Sequence, residues 1–260
     1  MSPYRSALIT GASSGIGRAL ALALAGPGAT LHLSGRDAAR LEEAAAACRG
    51  RGATVHAAVL DVTDAAAMAA WIGAAGPLDL VVANAGISGG TGNGAGETAA
   101  QTRAIFAVNL DGALNTVLPA LAAMRGQTLH HGRRGTIAVI ASIAALLPTP
   151  NAPAYGASKA AIDTWTRASS PAAAAAGIHL ASVCPGFIRT AMTASNNYKM
   201  PGLMEADAAA LIILAGLAAG RERIIFPWWM GALAHIVGAL PFGRRLLARQ
   251  GSKAALPDPV

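Results

Sequence analysis

Short apolar runs alternate with alanine-rich stretches of helical spacing along the whole chain. The runs at 5–10, 29–34, 53–60, 78–83, 135–141, 178–184 and 222–226 are brief and bounded by turn-forming residues, so each predicts a strand. Between them, the patterns at 15–26, 37–49, 64–74, 99–125, 155–168 and 205–219 predict helices. Regular strand–helix alternation builds a parallel sheet covered on both faces, with right-handed crossovers. No linker or repeat interrupts it, so the expectation is one doubly wound α/β domain over 1–260, with about seven strands. In such a sheet, ligands bind beyond the carboxyl ends of the strands, where the strand order reverses.

Two segments break the rhythm. The loop 87–98 holds Gly89, Gly90, Gly92 and Gly94, too many for a helix, and is expected to arch near a site. Pro171 stands where the helix starting at 155 would otherwise continue, which predicts a break near Ser169.

Composition narrows the picture. The chain is 53% hydrophobic with 30 glycines, which suits tightly packed helices on a buried sheet and argues against disorder. The two cysteines, Cys48 and Cys184, have no metal-ligand or framework spacing and read as reduced thiols; no metal site is assigned. The start runs straight into a strand without a signal peptide, so a cytoplasmic protein is expected. The net charge of +7 comes from scattered arginines (Arg133, Arg134, Arg221, Arg223, Arg244, Arg245) without interleaved aromatics, which argues against nucleic-acid binding. His130 and His131 read as solvated, and His235 as packed.

The chemistry sits at strand ends. The first strand runs into Thr10-Gly11-Ala12-Ser13-Ser14-Gly15-Ile16-Gly17 and opens a helix. Gly11 lets the chain turn sharply, Gly15 lets backbone approach a pyrophosphate, Gly17 permits close packing, and N–H groups at the helix start receive the anion. Gly35 and Arg36 follow the second strand, where an acidic residue would otherwise hold a ribose 2′-hydroxyl. Arginine pairs instead with a 2′-phosphate, so NADP(H) is expected over NAD(H), with Asp37 a candidate N-cap partner for Arg36. Asp61-Val62 suits an adenine edge, and Asn84-Ala85-Gly86 offers small residues beside a cofactor. Tyr155 and Lys159, at i and i+4 of a predicted helix, share one face. A cation beside a phenol favours its ionised form, which makes an acid/base pair suited to carbonyl or alcohol chemistry. Ser142 lies upstream at a strand end.

Taken together, TGASSGIG, Asp61-Val62, Asn84-Ala85-Gly86, Asn109, Ser142, Tyr155/Lys159 and Pro185-Gly186-x3-Thr190 resemble the short-chain dehydrogenase/reductase family, in order and spacing, over residues 5 to 226. The resemblance implies a Rossmann-like fold and an NADP(H)-dependent oxidoreductase. In it, Tyr155 is the general acid/base and Lys159 lowers its pKa and binds the nicotinamide ribose. Ser142 orients the substrate oxygen, Asn109 holds a water that starts a proton relay, and Pro185, Gly186, Ile188 and Thr190 grip the carboxamide. It also implies a homodimer or homotetramer, on which Pro171 casts doubt at the usual helix contact. The family's first asparagine before Ala-Gly is Ala83 here, a departure expected to cost little.

The substrate pocket is expected from Ser142, Ala144, Leu147, Tyr155, Phe187 and Met192, and their apolar character implies a largely apolar ketone or secondary alcohol as the small-molecule substrate. The loop 190–204, with Ser195-Asn196-Asn197, reads as a lid. From Ile224 to Gly243 no residue carries formal charge; Pro227 and Pro241 bound a run that fits a buried or interfacial helix better than a membrane span, which stays the last alternative. An apolar helix at 228–250 is expected, either a pocket wall or subunit contact or, through 228–249, an amphipathic helix on a membrane surface. Residues 251–260, with Pro257 and Pro259, read as a loose tail. Reduction of C=N bonds on the same residues, and an NADP(H)-binding sensor without turnover, are the alternatives.

Overall fold

A parallel sheet in the order β3-β2-β1-β4-β5-β6-β9 forms the centre of the computed structural model, which describes residues 3–92, 96–130, 132–194, 196 and 198–239. Its strands are β1 (Ser6–Ile9), β2 (Thr30–Gly35), β3 (Thr54–Val59), β4 (Leu80–Ala83), β5 (Gly135–Ile140), β6 (Ile178–Pro185) and β9 (Arg223–Phe226). Each lies within one of the apolar runs or reaches one residue past it. A short second ladder pairs β7 (Ile188–Arg189) with β8 (Met204–Glu205), which the sequence did not announce.

The helices α1 (Gly15–Leu24), α2 (Ala38–Arg49), α3 (Ala65–Ala74), α4 (Ala99–Phe106), α5 (Gly112–Arg125), α6 (Pro153–Ala175), α7 (Ala191–Ala194), α8 (Ala206–Ala218) and α9 (Trp228–Ala239) cover the sheet in two layers. One core packs α1, α2 and α8 on one face, through Leu20, Leu24, Leu41, Ile213 and Leu217; the other packs α3, α5 and α6, through Met68, Ile72, Val117, Met124 and Ile162. β3 is the exception to full coverage: it is an edge strand, and Val59 at its end is exposed. The chain leaves β1 toward β2 on one side and reaches β4 on the other, so the order reverses between β1 and β4. That reversal opens a crevice at the carboxyl ends.

Two helical expectations need correction. α6 continues through Pro171 to Ala175 rather than breaking near Ser169. Pro171 and Arg167, whose carbonyl loses its partner, are exposed to solvent, while Ser170 and Ala173 stay buried, so the lost hydrogen bond falls on the open side of the helix. The predicted helix 99–125 is divided by a π-helical turn at Ala107–Asp111, a shift of backbone pairing that hydrophobic spacing does not reveal. Residues Ala99–Arg125 form the one helical run long and apolar enough to cross a membrane among the described residues; here α5 packs on α3 and the sheet.

Hydrogen bonds hold the described part of the loop after β4. Gln101 Nε2 donates to Gly90 O at 3.1 Å, and Thr91 N donates to Asn151 O at 3.0 Å. Asn93 and Gly94 of that loop, His131, Ser195 and Asn197, and everything from 240 onward, including Pro241, Arg244, Arg245, Arg249 and the expected tail, lie outside the described residues. Cys48 and Cys184 are buried free thiols.

Candidate active site

The crevice between β1 and β4 opens into a cleft of about 820 Å³ that runs from the end of β2 to the start of α6. Its floor is a set of interlocked turns. Gly11, at φ +65°, turns the chain out of β1, and a Cβ there would lie 2.9 Å from Ala85 Cα. Asn84 Nδ2 donates to Thr10 O at 2.9 Å and Gly11 O at 3.2 Å, while Thr10 Oγ1 accepts from Asn84 N and Ala85 N at 3.0 and 3.2 Å. The two strand ends thus hold each other, and a methyl on Gly17 would collide with Gly11 O and Asn84. Gly15, at φ +54°, lies under Thr190, whose Cγ2 would sit 2.9 Å from an added Cβ. The Ser14 side chain makes no cap at the start of α1, and Ser13, Ser14, Gly15 and Ile16 line the cleft there. Helix N–H groups facing a cleft form an anion site.

At the β2 end, Ser34, Gly35, Arg36, Asp37, Arg40, Asp61 and Val62 line the same cleft. Arg36 is largely exposed and lies 3.9 Å from Asp61 Oδ2. Asp37 does not partner Arg36: it caps α2 by accepting from Arg40 N at 2.9 Å and Arg40 Nε at 2.7 Å, because its position before the helix aims its carboxylate at the first turn. Asp61 accepts from Thr63 N and Oγ1 at 2.9 and 2.8 Å. Burial pushes its carboxyl up, but those two hydrogen bonds and Arg36 outweigh it, so it stays ionised below the usual range. The Ser34 hydroxyl is fully buried and has no hydrogen-bond partner among the described residues. An orphaned donor beside helix N–H groups and two arginines suits the phosphate groups of a dinucleotide. Sequence reasoning missed Ser34 and Arg40; their places at a strand end and one turn into the following helix were the available signals.

The other end is built from buried side chains. Ser142, just beyond β5, caps the 3₁₀ turn Ile143–Ala145 by accepting from Ala144 N at 3.1 Å, and it is hydrogen-bonded to Tyr155. Pro153 opens α6, as its fixed φ allows. Glu97 Oε2 accepts from Ala154 N at 2.9 Å and so ties the loop after β4 to the turn carrying Tyr155, a contact without a sequence signature. One turn along α6, Lys159 is 5% exposed, donates to Ile140 O at 2.7 Å and sits 5.9 Å from the centre of the Tyr155 ring. Burial pushes its ammonium down to about 8, with Cys184 pulling weakly the other way.

Burial also pushes the Tyr155 phenol up, and Ser142 offsets part of this by hydrogen bonding. The expected depression by Lys159 is therefore not what the structure displays. Desolvation is the largest influence on both groups. Asn109, in the π-helical turn, is 1% exposed; its Oδ1 accepts from Ile87 N at 2.8 Å and its Nδ2 donates to Ile87 O at 2.9 Å and Ser158 Oγ at 3.1 Å. A Cβ on Gly86 would lie 3.1 Å from Asn109 Oδ1, a tight contact, and 3.5 Å from Lys159 Nζ, so the turn after β4 runs close against both groups. Below them, buried Asp163 accepts from Ser182 Oγ at 2.6 Å and Arg223 Nη2 at 2.7 Å, pinning α6 to β6 and β9.

Pro185, Gly186, Ile188, Thr190 and Met192 complete the cleft wall. Of the expected substrate residues, Ser142, Tyr155 and Met192 line the cleft, whereas Ala144, Leu147 and Phe187 do not. The 3₁₀ turn reverses the chain after Ser142 and sends Leu147 into a separate groove with Pro148, Pro153 and Ala157. Phe187 instead packs edge-on against Tyr198, ring centres 6.0 Å apart. Tyr198, which raises the Tyr155 pKa slightly, belongs to the loop expected to be a lid and was not singled out in the sequence.

Residues 5–201 match the family model described as short chain dehydrogenase. A Myxococcus xanthus oxidoreductase is 36% identical over 242 residues, 92% of this chain and 93% of the relative. A short-chain dehydrogenase from Sphingobium yanoikuyae, solved with NADPH, superposes with a TM-score of 0.78 at 27% identity, over 97% of this chain and 98% of that one. A Burkholderia phymatum short chain dehydrogenase/reductase solved with NAD shares the fold, with a TM-score of 0.80 at 24% identity, over 97% and 98%.

Proposed function

The protein belongs to the short chain dehydrogenase family of oxidoreductases, and we propose that it is an NADP(H)-dependent member acting on a largely apolar ketone or secondary alcohol. The observation that carries this reading is the meeting of Ser142, Tyr155 and Lys159 at one end of a cleft whose other end offers helix N–H groups, Arg36 and Arg40.

Ser13, Ser14, Gly15 and Ile16 would hold the pyrophosphate, Arg36 and Arg40 a 2′-phosphate, and Asp61 and Val62 the adenine. Asn84, Ala85 and Gly86 would flank the ribose, with Pro185, Gly186, Ile188 and Thr190 around the carboxamide. The absence of an acidic residue at the end of β2 supports NADP(H) over NAD(H). Bound there, the nicotinamide supplies or takes up a hydride at the substrate carbon. Tyr155 delivers a proton to the oxygen in reduction and removes it in oxidation. Because burial holds the phenol protonated, it is a donor at neutral pH. Ser142 holds the substrate oxygen beside that phenol, and two hydroxyls there stabilise the charge that develops. Lys159, in its ammonium form, stabilises the phenolate left behind. Asn109 braces Ile87 and Ser158 and so ties the loop after β4 to the helix that carries Tyr155 and Lys159.

Beside Ser142 and Tyr155 the cleft has an apolar wall. Met192, Ile140 and Ala141 form it, and Lys159 is the one charged group at this end among the described residues. This supports an uncharged, apolar substrate. The test is oxidation of NADPH and NADH by purified protein with apolar ketones, aldehydes and acyl thioesters. NADPH-dependent turnover of apolar ketones is expected. A preference for charged thioesters sinks the substrate reading, equal use of NADH sinks the cofactor reading, and tight NADPH binding without turnover on any substrate sinks the enzyme.

A further inference from the structure

Helix α9 has two apolar faces, and the described residues cover only one. With successive residues about 100° apart, Trp228, Ala232, Ile236, Trp229 and Leu233 fall on one arc of about 140°. Met230, Gly231 and Ala234 fall opposite. The inner face is packed: Ala234 is buried, and a Cβ on Gly231 would press on Ile225 at 2.6 Å. Met230 Sδ would lie 3.2 Å from a Cβ on Gly186, which lines the cleft, so this face walls the mouth of the site. The outer face stands open, with Trp228 78%, Ile236 61%, Leu233 52% and Trp229 39% exposed. Its arc carries no polar side chain. A helix whose outer face meets only water carries polar residues there.

We propose that the outer face of α9 docks the protein on an anionic lipid surface with the mouth of the cleft beside it, so that lipophilic carbonyl compounds reach the site from the bilayer. The substrate half of this rests on the oxidoreductase reading above. Paired tryptophans favour the headgroup boundary, where an apolar ring meets a polar layer. The twelve described residues of α9 extend about 18 Å, a length that suits lying in the interface. Charge selects the occupant. From Arg223 to Pro257 the sequence has no acidic residue, and Arg244, Arg245, Arg249 and Lys253 follow the helix in a chain of net charge +7. A second copy would add the same net positive charge, whereas anionic lipid neutralises it.

The test is co-sedimentation of the full chain with phosphatidylcholine vesicles, with and without phosphatidylglycerol, at low and high salt, beside the double variant Trp228→Ser/Ile236→Ser. The wild type is expected to pellet with the anionic vesicles at low salt, and the variant to partition at least tenfold less with an unchanged thermal midpoint. Failure of the wild type to pellet, or equal pelleting of the variant, overturns docking. A wild-type dimer that the variant dissolves assigns the face to a second copy. A large fall in the variant's thermal midpoint assigns it to the chain's own residues; either result also overturns the proposal. For delivery, the variant should lose at least tenfold in kcat/KM on a long-chain ketone presented in vesicles and keep its rate on a short, water-soluble one. An equal effect on both sinks delivery. A wild type that turns over neither ketone sinks the oxidoreductase reading, while sedimentation still decides docking.

Discussion

The two ends of the cleft are built by opposite means. At the β2 end, apart from the buried Ser34, the groups offered to a ligand are backbone turns and exposed side chains: Arg36 is 61% exposed and its approach to Asp61, at 3.9 Å, is loose. Ion pairs of that kind contribute little to stability, so the arginine is available to a ligand at small cost. At the α6 end the functional groups are buried, share hydrogen bonds and have shifted pKa values. Recognition there is adjustable only with penalties, because each removed atom leaves a neighbour without its partner. The difference teaches where each kind of change should register: substitutions at the β2 end should alter which cofactor binds, and those at the α6 end whether chemistry occurs.

The largest effect expected is from Tyr155→Phe, which removes one oxygen and should lower turnover by about 10²–10⁴-fold with NADPH affinity nearly unchanged. Steady-state rates beside NADPH titration check it, and retention of more than about a tenth of the rate would contradict a general acid.

Next comes the pH dependence of stability. Lys159 titrates near 10.5 when unfolded and at about 8 when folded, so between these values the unfolded chain holds a proton that the folded one has lost. Stability of the cofactor-free protein should therefore rise with pH across that window relative to Lys159→Met, by on the order of 3 kcal/mol. Denaturant melts at pH 7.5 and 10.5, as approximate bracketing values, read the difference; a constant gap between the two proteins would mean that burial does not destabilise the ammonium.

Gly17→Ala forces a methyl against Gly11 and Asn84, and should cost about 1–3 kcal/mol in denaturant stability while also weakening cofactor binding. An unchanged midpoint would show that the turns can spread. The smallest effect belongs to the exposed end. Arg36→Ala should weaken NADPH by roughly tenfold, in keeping with one charge-assisted hydrogen bond, and leave NADH almost alone. Equal losses for both cofactors would remove the contrast between the two ends.

What could be read from the chain follows from the range of the forces involved. TGASSGIG, the helix starts and the alternation of strands and helices depend on neighbours within a few residues, so local pattern reveals them. Pro171 misled because its cost depends on whether water can reach Arg167, which is a matter of burial. The π-helical turn under Asn109 was hidden because one shifted residue scarcely alters hydrophobic spacing. Ser34, Glu97, Tyr198 and the displaced Leu147 escaped notice because their partners, or their lack of one, are set by segments distant in sequence.

By itself, then, the sequence determined the parallel α/β architecture, the carboxyl-end location of the site and the residue types of both its ends, since periodicity and turn chemistry act locally. Tertiary structure alone decided that Lys159 lies over the Tyr155 ring with its ammonium at about 8, that Asp37 serves Arg40 rather than Arg36, and that the described residues leave one apolar face of α9 uncovered. Those outcomes depend on desolvation and on contacts between distant segments, and neither exists until the chain has closed on itself.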